Sequence, residues 1–220
     1  MIVCSLNEVE IYGRRAARGA GMSWGLAEEA GKASRWLAER GLPGVELLLR
    51  LLQSNDGRPY ASMAPVIAAG RWHALDGDLC PVCSGAALRD RISVLEQGDE
   101  ISLGALACPL LLAPFLDQSW RSDGGSYEMR WPNVRMRVSL DGVALDYAEE
   151  SALMSEHTDE VNVSVATDRK ARTTHNPRIA GVKTPTSVWR AMDSLAKRTY
   201  VPASEESRAR GAGASRTDND

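Results

Sequence analysis

Two cysteines stand two residues apart in Cys80-Pro81-Val82-Cys83, and His73, Asp76 and Asp78 lie just upstream. Thiolates at this spacing can face one metal ion or exchange with one substrate disulfide, and both chemistries need further groups. A tetrahedral zinc site would have to recruit His73 with Cys108 or Cys4, at spacings that match no zinc module, so no metal is expected. Zinc deaminases need His-x-Glu followed by Pro-Cys-x-x-Cys, whereas this chain reads His73-Ala74-Leu75 and places Leu79 before Cys80. What remains is nucleophilic catalysis, with Cys80 as nucleophile, His73 as its base and Asp78, or Asp76, orienting the base. The competing reading is simpler: Asp76-Gly77-Asp78 is a turn, His73 caps a strand and Cys80 is core.

A second pattern is the pentapeptide Ala-Arg-Gly-Ala-Gly, which occurs at Ala17 to Gly21 and again at Ala209 to Gly213. Glycines let successive amides point at an anion, and an adjacent arginine can grip a carboxylate or phosphate with two parallel bonds. Arg18, Gly19 and Gly21, with Arg208, Arg210, Gly211 and Gly213, are therefore candidates for holding a small anionic ligand. Against this, the first copy can be a helix C-cap and the second a flexible tail. Ser194-Leu195-Ala196-Lys197 has the Ser-x-x-Lys form but lacks the Ser-Asp-Asn and Lys-Thr-Gly elements that make it catalytic elsewhere. Glu28-Glu29 suits the positive end of a helix dipole, which explains it without chemistry.

Composition narrows the partners. With 26 Lys and Arg against 29 Asp and Glu in 220 residues, there is no basic footprint for nucleic acid or an anionic membrane. The longest apolar run, Ala105 to Leu116, is too short to span a bilayer and is broken by Pro109 and Pro114, so it reads as core. The start, Met1 to Glu8, lacks the basic region and apolar stretch of a secretion signal. A cytoplasmic protein with free thiols is expected.

These residues need elements to position them. Ser5-Leu6-Asn7-Glu8 has the form of a capping box, so a helix should begin near Leu6 and stop near Ala20, where Gly19 and Gly21 can end it. A second helix should run from Trp24 to Arg40 and a third from Val45 to Gln53, with Ser54 to Pro59 turning the chain. Segments around Trp72 to Leu75, Ile92 to Leu95 and Ile101 to Leu106 suit strands, although Ala86 to Leu95 also suits a helix. Asp141-Gly142 reads as the loop of a hairpin in which Leu140 faces Val143, Val138 faces Leu145 and Met136 faces Tyr147. Arg137 then lies opposite Asp146 on a face left to solvent or an interface. Tyr127 to Trp131 adds a strand, and Val161, Val163 and Val165 alternate like another. Thr186 can cap a helix from Ser187 to Arg198, and Ala203 to Asp220 contains no large apolar residue. The expected fold is α+β: an N-terminal helical section on a mostly antiparallel sheet, one C-terminal helix, a single domain over 1–202 and a polar tail over 203–220.

The two ends also carry a resemblance. Ser5-Leu6-Asn7-Glu8, Ala16 to Gly21, Trp24 to Ala30 and Trp36-Leu37 stand at one end, and Thr199 to Glu205, Ser207-Arg208, Gly211 to Gly213 and Asp218-Asn219-Asp220 at the other. With Cys80-Pro81 and Gly85 they resemble an uncharacterised bacterial family of this length with no assigned function, which implies no catalytic residue. Residues 5 to 45 are more distantly similar to the first helices of the NAD-dependent malate/L-lactate dehydrogenase-like family, whose Gly-Val-Asp-Ser-His-Gly segment supplies a catalytic histidine. Here the corresponding stretch is Gly44-Val45-Glu46-Leu47-Leu48, with no histidine, so neither that chemistry nor a cofactor is implied.

Two function classes follow: a small-molecule enzyme or ligand-binding protein for a small anionic metabolite, and a non-catalytic accessory protein whose tail assembles it with a partner or a second copy of itself. Elemental analysis of the purified protein is expected to find no stoichiometric zinc. About one zinc per chain, lost on Cys80→Ser, would overturn that.

Overall fold

The computed structural model describes residues 1–67, 70–96, 98–117, 126–139, 142–166, 174–175 and 179–200. Strand β1 (Ile2–Ser5) leads directly into helix α1 (Leu6–Gly19). The capping box forms as its sequence dictates: the Glu8 amide donates to the Ser5 hydroxyl at 3.2 Å and the Ser5 amide to the Glu8 carboxylate at 2.8 Å. Val9, Gly13, Ala16 and Ala17 are the buried face of α1. They meet α2 (Trp24–Glu39), whose facing side chains include Ala27, Ala30 and Gly31. The axes approach until backbone touches backbone: a Cβ on Gly31 would lie 2.6 Å from the Glu10 carbonyl oxygen, and one on Gly13 would lie 3.3 Å from the Gly31 Cα.

Helix α3 (Gly44–Ser54) buries Leu47, Leu48, Leu51 and Leu52 completely. Beyond it come α4 (Pro81–Arg89), α5 (Ile92–Glu96), the strands β2 (Ile101–Leu103) and β3 (Leu106–Ala107), and α6 (Ala113–Asp117). Of the two readings open for Ala86 to Leu95, the helical one holds, as the end of α4 and most of α5, and Trp72 meets the strands through an isolated bridge to Leu103. The apolar run from Leu106 to Leu116 is buried throughout, as a core segment should be. Among the described residues no helix is long and apolar enough to cross a membrane.

The remaining strands are β4 (Tyr127–Trp131), β5 (Val134–Ser139), β6 (Gly142–Ala148), β7 (His157–Thr158), β8 (Val161–Val165), β9 (Thr174–His175) and β10 (Gly181–Thr184), with the four-residue helix α7 (Glu150–Leu153) after β6. Six of the strands form an antiparallel sheet in the order β2-β8-β4-β5-β6-β9. The architecture is thus the expected α+β. Pro132-Asn133 makes the tight turn between β4 and β5, with Asn133 at φ 62° in the left-handed region that asparagine tolerates.

The β5–β6 register differs from expectation by two residues near the turn: Ser139 pairs with Gly142, Val138 with Val143 and Met136 with Leu145. Gly142, at φ 129°, opens β6 instead of sitting in the loop, and an irregularity between Arg135 and Met136 absorbs one residue. Because side chains alternate with period two, a two-residue shift leaves Val138, Met136, Val143 and Leu145 on the anticipated face. Arg137 now pairs with Ala144, yet its guanidinium still reaches the Asp146 carboxylate. The other face of the sheet is partly covered: Arg137 and Glu128 are each only 6% exposed, whereas Arg130 and Arg135 on the same face are exposed.

Helix α8 (Thr186–Lys197) closes the described chain. Its cap is Pro185, with extended ψ 136°, and not Thr186, whose hydroxyl accepts from the Met1 amino group at 3.2 Å. Helix α8 packs on α1 while β10 pairs antiparallel with β1. This contact too is set by glycine, since a Cβ on Gly19 would stand 1.9 Å from the Leu195 carbonyl oxygen.

Gly31→Ala is expected to lower stability by about 1–3 kcal/mol, because the helices must part to admit a methyl group. Gly25→Ala, in the same helix but with nothing within 4 Å of its would-be Cβ, should be neutral or slightly stabilising. Urea midpoints of the two variants decide the matter, and equal losses would refute the close-contact account.

Candidate functional site

Arg14, Arg15 and Arg18 stand three and four residues apart on α1, so they share one face of the helix, away from its glycine and alanine face. Where α1 ends, the end of α8 crosses it, and the two helix termini with the start of α2 enclose a pocket of about 620 Å³. Arg14, Arg15, Arg18, Gly19, Gly21, Trp24, Arg198 and Tyr200 are in its wall. Arg198 is neutralised there by Asp56, whose carboxylate oxygens lie 2.7 and 2.9 Å from one guanidinium nitrogen and whose pKa that bond depresses. Among the described residues Arg14, Arg15 and Arg18 have no acidic partner. Arg18 is held in place by donating to the Met22 carbonyl at 2.6 Å while its guanidinium lies 5.1 Å from the Trp24 ring centre. Arg15 reaches toward the Tyr200 hydroxyl at 3.5 Å. Three guanidinium groups in one pocket wall, with no carboxylate paired to them among the described residues, repel one another, and a ligand with several anionic oxygens would relieve that repulsion while filling their donors.

The glycines of the first pentapeptide have structural reasons of their own. Gly19 is required by the α8 crossing, and Gly21, at φ 97°, turns the chain out of α1. Arg208, Arg210, Gly211 and Gly213 lie outside the described residues, and the segment carrying them leaves from Tyr200 in the pocket wall. Arg14, Arg15, Arg198, Trp24 and Tyr200 were not singled out in the sequence. The spacing of Arg14 and Arg15 relative to Arg18 on one helix was the available signal.

The cysteine candidates lie elsewhere. Cys80 is the N-cap of α4 and fully buried, with no side-chain capping hydrogen bond. The adjacent Cys83 thiol, with the Cys83 and Val82 amides, draws the Cys80 pKa down, and the same neighbour together with burial pushes the Cys83 thiol up. Burial pushes the Cys108 thiol up to about 12. His73 is on an exposed segment, bridged to Val66 through its backbone. Asp78 is partnered by a different histidine: His157 Nδ1 lies 2.7 Å from the Asp78 carboxylate, and His157 Nε2 lies 3.1 Å from Asp159. The structure shows no hydrogen bond joining Cys80, His73 and Asp78 among the described residues. His157 is remote from Asp78 in the chain, and β7 pairing with β3 brings it there. No local motif announces such a contact.

A larger groove of about 1010 Å³ lies between the α2–α3 turn, β6, α7 and β10. Leu42, Pro43, Leu145, Leu153, Met154 and Val182 line it, and its Asp146 is already bound to Arg137. It is more apolar than the arginine pocket.

Residues 4–74 match the model of a family described as Protein of unknown function (DUF3726). The match fits the uncharacterised family that the terminal motifs resemble; it includes Arg14, Arg15, Arg18 and Trp24 and leaves the C-terminal motifs outside it. No curated protein matches the chain.

Both ring nitrogens of His157 can donate only when the imidazole is protonated, so the Asp78 and then the Asp159 hydrogen bond raise its pKa from 6.5. The folded-state value being the higher one, the stabilisation is complete below the unfolded pKa and is lost as pH rises through the folded pKa. His157 is 48% exposed, so solvent screening keeps the contribution within about 1 kcal/mol. An NMR titration should place the His157 midpoint above 6.5, and Asp78→Asn should bring it down. An unmoved midpoint would contradict the pairing.

Proposed function

We propose that this protein binds a small anionic metabolite in the pocket where α1 ends against α8, as a ligand-binding protein or a small-molecule enzyme of the cytoplasm. The observation that carries the reading is the triplet Arg14, Arg15 and Arg18, three guanidinium groups on one helix face with no described carboxylate to balance them. Each guanidinium offers a rigid fork of donors that matches carboxylate or phosphate, and a pocket of about 620 Å³ is of the size that small ligands occupy. Four free buried cysteines suit a reducing compartment. Residues 1–202 act as one domain in this reading, since β1 with β10 and α1 with α8 join its two ends.

The accessory reading has its own support in Tyr200, 50% exposed at the point where the tail departs. It differs in what does the work: the C-terminal tail assembling the protein with a partner or a second copy, instead of the pocket holding a metabolite.

Calorimetry and thermal unfolding of the full chain with inorganic phosphate, pyrophosphate and citrate, against chloride at matched ionic strength, test the proposal. Ligand at a hundred times its dissociation constant should add about 2.7 kcal/mol of stability. The double variant Arg15→Gln/Arg18→Gln should remain folded and lose that gain. Equal responses from the variant and the parent chain, or no response to any of the anions, would overturn it.

A further inference from the structure

Trp24 is the first residue of α2, where Ser23 caps the helix by accepting from the Leu26 amide at 3.4 Å. A tryptophan there has no packing reason to stay in solvent, yet it is 64% exposed. It is nonetheless held: Arg18 lies against its ring at 5.1 Å and is itself fixed by the Met22 carbonyl. Most of the ring surface stays open to solvent beside the arginines. A second exposed aromatic, Tyr200, stands in the same pocket wall. The pocket therefore joins two recognition chemistries, a cluster of cations for an anion and an oriented, uncovered π face beside it.

We infer that the ligand of the arginine pocket is a nucleoside phosphate, its phosphate oxygens on Arg14, Arg15 and Arg18 and its base stacked on Trp24. The inference rests on the anion-binding reading of the same pocket and adds the class of ligand. A polycarboxylate would use the arginines and leave Trp24 idle. A planar base uses both, and it extends the stack that Arg18 begins, because a guanidinium beneath an aromatic ring and a base above it attract through the same quadrupole and dispersion forces. Stacking on an aromatic face tolerates every base, so this geometry selects the class of ligand and not the identity of the base.

The test is calorimetry on the full chain with inorganic phosphate, ribose 5-phosphate and AMP. AMP should bind tighter than ribose 5-phosphate by about five- to a hundredfold, the range that one base–aromatic stack supplies. Trp24→Leu should abolish the difference, binding AMP and ribose 5-phosphate alike. The Trp24 ring is mostly in solvent, so the variant folds, and ribose 5-phosphate bound by Trp24→Leu but not by Arg15→Gln/Arg18→Gln shows that the arginine site is still present. Equal binding of AMP and ribose 5-phosphate by the parent chain, both lost in Arg15→Gln/Arg18→Gln, would overturn the nucleoside and keep the anion site. No binding of any of the three would overturn both.

Discussion

The arrangement depends on how closely helix α1 lies against its neighbours. Where Gly13 faces Gly31 and Gly19 faces the Leu195 carbonyl, there is no room for even one carbon atom beyond the backbone. Packing at that distance draws on many weak dispersion contacts between main chains, each forfeited by a gap of less than an ångström. It also fixes rotation: with Gly13, Ala16 and Ala17 buried against α2, the helix face carrying Arg14, Arg15 and Arg18 is turned toward the gap between the start of α2 and the end of α8. The arginine pocket is thus a by-product of a steric rule acting elsewhere on the same helix.

The first helices were legible because their signals are local. A capping box, a run of small residues at helical spacing and a glycine stop each act within one turn, and α1, α2 and α3 begin and end where those signals stand. The hairpin was legible in its faces and misjudged in its register. Asp-Gly is a strong loop signal, but Gly142 is accommodated at the first strand position at φ 129°, and nothing short-range tells one glycine placement from the other. The outer face of the sheet was legible as charged but not in its depth. Arg137 and Glu128 look like surface residues by type, and the pairing of Arg137 with Asp146 and of Glu128 with Arg130 and Arg135 helps make their burial tolerable.

The site was half legible. Arg18, Gly19 and Gly21 drew notice as a repeated pentapeptide, and they do stand in one pocket wall. The sequence credited the glycines with anion binding, whereas their geometry is already accounted for by a helix crossing and a turn. Arg198 and Tyr200 come from the far end of the described chain, and only the folded topology brings them to Arg15 and Trp24. Asp78 and His157 were hidden in the same way.

Strand β1 and helix α1 find their partners in β10 and α8, the last described elements of the chain. During synthesis β1 and α1 must wait until β10 and α8 have emerged before they can pair with them. Until then the arginine face has only the start of α2 opposite it. The arginine pocket is accordingly completed late, and its presence reports that the chain has been made through Tyr200 and that α8 has docked on α1.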